Sequence, residues 1–567
     1  MPLVSSDTAT EAAPQVDDDA ARWWPARLRR FGYVAPAPVT SRDRLVPPYA
    51  RGGAGVWRLL GASPAGAERL VRLSAWGGPL LVALFAGLIR FWRLGSPHAV
   101  IFDETYYAKD GWSLLQQGYE GVWPNDANAK ILADPQTIPL SADPAYVVHP
   151  PVGKWVIALG EWMFGLTPFG WRFMTAVLGT LSVLMLCRIG RRLFRSTLLG
   201  CLAGALMAVD GLHFVMSRTA LLDLIVMFWV LAAFGCLLVD RDRFRARLAA
   251  ALPPDGRPDA AVAQSLMFLW RPWRLGAGVF LGLAAGTKWN GAVYLAAFGI
   301  LMVLWDAASR RVAGARWAHL RALARDVPMA LAVVPVAVAT YLASWTGWFA
   351  TSDGYYRNWA ADRGGWEWTK PLRSLWHYHA EVWNFHVGLT ASHRYESNPW
   401  SWPLAGRPVS YFWEGPKPGQ AGCPASAGQD CAREVLALGT PLLWWLGVAA
   451  AVYAIYRWLL RRDWRSGAIL CGLAAGWLPW LRYQERTIFY FYAVVFVPFL
   501  CLAAAQLLGA LAGPPGSSER RRAVGVVAGG VLVLLIVWNF VYFFPIYTGQ
   551  TIPREEWSNR MWFPTWI

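Results

Sequence analysis

The sequence predicts an all-α polytopic membrane protein with about eleven transmembrane helices, and three observations carry that prediction. Of its 567 residues, 56% are hydrophobic and only 16% are charged; with a mean hydropathy of +0.30, this is too apolar for an ordinary soluble enzyme. Apolar stretches of roughly 18–25 residues recur along the chain, each long enough to cross a hydrocarbon core of about 30 Å. Arginine-rich segments fall in alternate short connections, as cytoplasmic loops do.

Taken in order, residues 1–20 (MPLVSSDTATEAAPQVDDDA) have no apolar face and are expected to be disordered. Residues 21–72 add arginines but no apolar span, so no cleavable signal peptide is expected and the first span acts as its own insertion signal. The expected organisation is a cytoplasmic, partly disordered tail at 1–72 and a transmembrane domain at 73–567 with extracytoplasmic loops 96–154 and 350–437. Spans are expected near 74–94, 155–187, 198–215, 219–239, 275–287, 290–305, 327–349, 438–456, 466–481, 487–511 and 523–545. The second is entered obliquely, with its membrane part mainly at 170–187, and 275–305 is read as two short crossings. As one tilted span it would invert everything after it.

With this count the basic segments 188–195, 241–274, 310–326, 457–465 and 517–522 share the cytoplasmic side with the N-terminus. The extracytoplasmic side receives 96–154, the turn around Arg218, the turn at 287–290, loop 350–437, RYQERT at 482–487 and the tail 546–567. An odd number of spans leaves the C-terminus extracytoplasmic. The same sorting explains the net charge of +17 without a nucleic-acid partner. Five cysteines fall in or beside apolar spans, where a thiol packs as a small hydrophobe. Cys423 and Cys431 share a polar loop instead, and can close a short disulfide if it faces an oxidising compartment.

Five polar clusters map to the extracytoplasmic face. FDETYYAKD (102–110) sets Asp103 and Glu104 beyond the first span; flanking acids are often merely solvated. HPPVGKW (149–155) returns His149 and Lys154 to the membrane surface behind two prolines, which also suit a rigid re-entry turn. SRTALLD (217–223) places Arg218 and Asp223 at the junction of two spans, where a mutual ion pair locking the turn is the plain alternative. GTKWNG (286–291) puts Lys288 and Asn290 at the turn of a short hairpin, where a lysine can also simply snorkel. HRYESNPWSWPL (393–404) offers His393, Glu396, Tyr395, Trp400 and Trp402, aromatics that stack on sugars or line a membrane interface. Lys109, Lys154 and Lys288 stand out in a chain whose positive charge is nearly all arginine. Cations suited to a phosphate, sharing a face with a carboxylate suited to proton abstraction, describe a site for a polyprenyl-phosphate-linked substrate.

Together with the ending FPIYTGQ and WSNRMWFPTWI, these motifs resemble the bacterial protein O-mannosyltransferases over essentially the whole chain from about residue 75. The resemblance implies a class-C glycosyltransferase architecture with an extracytoplasmic active site in the cell (plasma) membrane. It implies inverting transfer of mannose from polyprenyl-phosphate-mannose to Ser or Thr hydroxyls of secreted proteins. Asp103 matches the family's catalytic acid and Glu104 its neighbour, which would orient the acceptor or Asp103. Arg218, Lys288, Lys154, His149 and Arg486 would hold the lipid phosphate, while Asn290, His393, Glu396 and Trp400 would meet sugar or acceptor. Membrane lipid and secreted acceptor proteins are the implied partners, with the secretion translocon left open.

Two departures matter. Loop 350–437 is too short for the β-trefoil domain of eukaryotic members, so acceptor recognition falls to the membrane core and loops. Asp103 and Glu104 alone make a poor octahedral Mg²⁺ site, so no cofactor and metal independence are expected. Rival functions are a related transferase using another lipid-phosphate sugar, or a glycan or lipid acceptor, and a secondary transporter. A transporter, however, places its ionisable groups near the midplane, often in repeated halves.

Overall fold

The structure, a computed structural model, describes residues 39–47, 63–265, 270–321, 324, 326–513 and 517–567. The expected disorder of residues 1–20 lies outside the described residues.

Helices in chain order are α1 (Pro64–Phe91), α2 (Glu104–Gln117), α3 (Val152–Phe164), α4 (Pro168–Phe194), α5 (Thr197–Ala208), α6 (Leu222–Ala251) and α7 (Pro272–Thr287). They continue with α8 (Gly291–Ala313), α9 (Val327–Ser344), α10 (Lys370–Gly388), α11 (Pro441–Arg461), α12 (Trp464–Trp477), α13 (Tyr490–Leu511) and α14 (Glu519–Thr548). Short helical turns complete the chain. Eight of the described helices are long and apolar enough to cross a membrane: α1, α4, α6, α8, α9, α11, α13 and α14. The remaining expected spans fall on α5, α7 and α12, which have 12, 16 and 14 residues. Eight of the expected spans thus coincide with helices long and apolar enough to cross a membrane, and the other three coincide with helices too short for that criterion.

Local chemistry sets the breaks. Proline in the first turn opens α4, α7 and α11, where its missing N–H costs nothing. Thr167 caps α4 by accepting from the Gly170 amide. The expected oblique span 155–187 is therefore two helices, α3 and α4, parted at Gly165, whose φ of +74° suits glycine. The segment 275–305 is also two helices. Their turn needs Gly291, where a Cβ would fall 2.4 Å from the Ala284 carbonyl carbon.

The bundle is layered by burial. The apolar stretches of α6 and α13 are 78% and 72% buried, while those of α1, α9 and α14 are 17%, 17% and 22% buried, so the first pair forms the core and the others face lipid. At one end α6, α7 and α8 are clamped by Arg271, which bridges Asp240 at 2.6 Å and Asp306 at 2.7 Å. Arg274 joins the same two acids. At their other end lies the polar site described below.

The all-α expectation needs one correction. An antiparallel sheet, ordered β1 (Val409–Glu414), β2 (Cys431–Ala437) and β3 (Thr551–Pro553), ties the long loop to the C-terminal tail. Cys423 and Cys431 are disulfide-bonded at the start of β2. Their separation of eight residues gives a loop-closure contribution of about 2.5 kcal/mol. Replacing both by Ser is expected to lower the melting temperature of the purified protein by a few degrees in non-reducing buffer. Dithiothreitol should produce the same shift in the parent and none in the variant.

Candidate active site

Asp103 is the N-cap residue of α2, preceded by Phe102 at φ +44°, a conformation that non-glycine residues adopt only under constraint. The constraint is aromatic: Phe102 stacks on Tyr411 at 4.7 Å and meets Phe489 and Phe491 edge-on. This pins the backbone that presents Asp103.

The two adjacent acids then diverge. Glu104 is fully buried and forms a bidentate pair with Arg172, at 2.7 and 2.8 Å. It also accepts from the Ile101 and Ala220 amides. All its lone pairs are used in joining α2 to α4 and to the turn before α6. Asp103 makes no side-chain hydrogen bond among the described residues. Burial pushes its carboxyl up to about 7, with the charge of Lys288 opposing and that of Asp223 adding.

Lys288, in the α7–α8 turn, is the link to a cleft. Its Nζ donates to both oxygens of Asp223, at 2.9 and 3.0 Å, and sits 4.0 Å from the Tyr492 ring centroid. The cleft has about 190 Å³ of free volume and is lined by Lys288, Asn290, His149, His386, Arg486 and Trp383 among others. The Oδ1 of Asn290 is buried there without a hydrogen-bond partner among the described residues. His149 and His386 stack at 5.2 Å. His386 donates from Nε2 to the Val148 carbonyl and accepts at Nδ1 from Arg486, which fixes its tautomer. Burial, then the surrounding cations, holds His149 well below the usual imidazole range; burial is likewise the main reason His386 is lowered to about 4. Arg486, the Asp223-paired Lys288 and two imidazoles give the cleft hydrogen-bond donors and positive charge that can meet an anion.

Of the sequence-predicted residues, the structure brings Lys288, His149, Asn290 and Arg486 to the cleft and Asp103 beside the Lys288–Asp223 pair. Others are placed differently. Arg218 donates to the carbonyls of Ile89, Arg90, Trp92 and Arg93, closing the end of α1, and is not a cleft residue. The alternative of an Arg218–Asp223 pair is also corrected, because Asp223 pairs with Lys288. Lys154 is held by Glu120 and the His149 carbonyl. Glu396 accepts from the His393 amide. The His393 ring packs edge-on against Phe102 and Phe489. Trp400 is 61% exposed and packs on Trp477, while Trp402 is buried and donates to Ser397.

Sequence reasoning missed Arg172, Tyr492, His386 and Trp383. The first two lie in apolar runs with no local motif; the histidine and tryptophan belong to a helix hidden in the long loop.

The Glu104–Arg172 pair allows a direct check. Glu104→Gln strands a buried guanidinium and is expected to cost about 3–5 kcal/mol, read as a sharp loss of folded protein by size-exclusion chromatography. The double variant Glu104→Gln/Arg172→Met should recover much of that loss.

Residues 80–348 match the family described as dolichyl-phosphate-mannose-protein mannosyltransferase. Residues 371–566 match the C-terminal four-transmembrane region of protein O-mannosyltransferase. A polyprenol-phosphate-mannose–protein mannosyltransferase of Mycobacterium tuberculosis is 40% identical over 517 residues, covering 88% of this chain and 93% of its own. One from Corynebacterium glutamicum is 34% identical over 502 residues, covering 86% and 92%. The protein O-mannosyltransferase complex of S. cerevisiae bound to the sugar donor contains a chain of the same fold. The TM-score is 0.65 at 14% identity, over 86% of this chain and 92% of that one. Fold and family together define a multi-pass membrane glycosyltransferase. The chain belongs to the protein O-mannosyltransferase family, and it is a protein mannosyltransferase.

Proposed function

We propose that the protein transfers mannose from polyprenyl-phosphate-mannose to Ser or Thr hydroxyls of secreted proteins, with inversion, and that Asp103 is the general base. The observation that carries this reading is the division of labour between neighbours. Glu104 is fully committed to Arg172, while Asp103 has no side-chain hydrogen bond among the described residues and lies beside Lys288 of a cation-lined cleft. In the proposed step Asp103 takes the acceptor hydroxyl proton as the oxygen bonds to the anomeric carbon. The bond from that carbon to the phosphate oxygen breaks, and polyprenyl phosphate leaves with the electron pair. Lys288 and Arg486 stabilise the growing phosphate charge, and Asn290 and neutral His149 are available as hydrogen-bond partners. Phosphate leaves without a general acid, so one free carboxylate is enough.

The same reading includes eleven crossings, a cytoplasmic N-terminus and an extracytoplasmic C-terminus in the plasma membrane, which puts the cleft on the extracytoplasmic side. Acceptors reach that side during secretion, which supports an association with the translocon. The donor set favours metal independence: Asp223 is occupied by Lys288, and one free carboxylate is a weak Mg²⁺ site.

The test is transfer of label from polyprenyl-phosphate-mannose to a Thr/Pro-rich peptide by membranes containing this protein, with and without EDTA. The expected product is an inverted glycoside, formed equally in both. Transfer from the glucose analogue but not the mannose donor would overturn the sugar assignment, and retention at the anomeric carbon would overturn the single-displacement step.

A further inference from the structure

α10 is divided lengthwise into three sides. Leu372, Trp376, Ala380, Trp383 and Val387, spaced four, four, three and four residues apart, form one exposed apolar stripe. Trp376 is 79% exposed, and Trp383 and Val387 are each 55% exposed. The opposite side, Leu375, Tyr378 and Val382, is buried against Trp345 and Trp348. Lys370, Arg373, His377, Glu381 and Asn384 occupy the third side, between the other two.

The location of the helix says what covers the stripe. His379 accepts from the Tyr341 hydroxyl near the end of α9. Trp289, in the α7–α8 turn, lies 5.7 Å from His379 and 6.5 Å from Trp383. α10 therefore lies across the ends of the spans α8 and α9, whose exposed large apolar residues include Ile300, Leu304, Val334 and Val338. The stripe continues the lipid-facing surface of the bundle at the level where spans end. Tryptophans there sit at headgroup depth, and a helix with one polar and one apolar side lies in that plane.

We propose that α10 is an in-plane interfacial helix whose stripe docks into the headgroup–acyl boundary of the bilayer, forming the membrane-side lip of the cleft. Trp383, His386 and Val387 are both its C-terminal end and cleft lining. A lipid-linked donor then reaches the cleft from within the leaflet, alongside the stripe; this second part rests on the donor reading above.

The test uses full-length protein with the five free cysteines replaced and the disulfide kept, reconstituted in phosphatidylcholine–phosphatidylglycerol vesicles. A spin label is placed in turn at positions 376, 380, 377 and 381. Oxygen should relax the labels at 376 and 380 while a water-soluble nickel chelate does not, and the reverse should hold at 377 and 381. Equal nickel access at all four overturns the docking. Strong dipolar coupling between labels at 376 overturns it too, in favour of a second copy of the chain.

Trp376→Glu should raise KM for a long-chain donor by about tenfold, with kcat and the KM for a two-isoprene donor unchanged, and His377→Glu should change neither. Equal effects on both donors overturn the entry route. If the parent uses neither donor, the functional reading fails while the label measurements still decide the docking.

Discussion

Asp103→Asn is expected to reduce transfer by about 10²–10⁴-fold while leaving the protein folded. The side chain is nearly isosteric, and Asp103 holds nothing else together, so the loss falls on kcat with little change in donor KM. Because burial pushes the carboxyl up to about 7, it is half-protonated near neutrality. The kcat/KM profile should therefore rise with pH through about 7 in the parent. Any residual activity of the variant should lack that limb.

Stability moves the other way. The folded pKa lies above the unfolded value of 3.8, so the folded state keeps a proton that the unfolded state has lost. Stability from this group is full below about pH 4 and falls as pH rises towards 7. Asp103→Asn escapes that loss, on the order of 4 kcal/mol, and should melt higher than the parent at pH 8 but not at pH 4. A variant that is inactive and unstable at both pH values would show that Asp103 serves the fold.

The apolar helices were legible because hydropathy is a long-range, repeated signal. Even short α5, α7 and α12 fell on expected spans, although α3 and α4 were merged because Gly165 is one residue in a long apolar run. The site was legible in part. Lysines in an arginine-rich chain pointed to Lys288, and an acid pair after the first span pointed to Asp103. Sequence could not tell which acid of the pair is free, because that depends on Arg172, 68 residues away from Glu104 in the chain. Nor could it tell Arg218 from Lys288, since a guanidinium absorbed by backbone carbonyls looks the same in sequence as one facing a phosphate. The sheet escaped because β3 is three residues long and pairs across more than a hundred residues.

The second large effect concerns the Lys288–Asp223 pair. Both side chains are at least 90% buried and lie 2.9 Å apart. Removing either partner leaves a buried charge uncompensated, so Lys288→Met and Asp223→Leu are each expected to cost about 3–5 kcal/mol and to yield little folded protein. The double variant replaces the pair with apolar groups and should recover most of the folded yield, read by thermal unfolding in detergent. Recovery of fold separates two roles that the single variants confuse.

If Lys288 only locked α6 to the α7–α8 turn, the double variant would transfer as well as the parent per folded molecule. If Lys288 also meets the leaving phosphate, the folded double variant should still transfer about 10²–10³-fold more slowly, the usual effect of losing one transition-state donor. Asp223→Asn sharpens the distinction, since it keeps a polar partner and frees part of the Lys288 charge. Its kcat should therefore fall far less than that of the double variant, although it retains only half of the original pair.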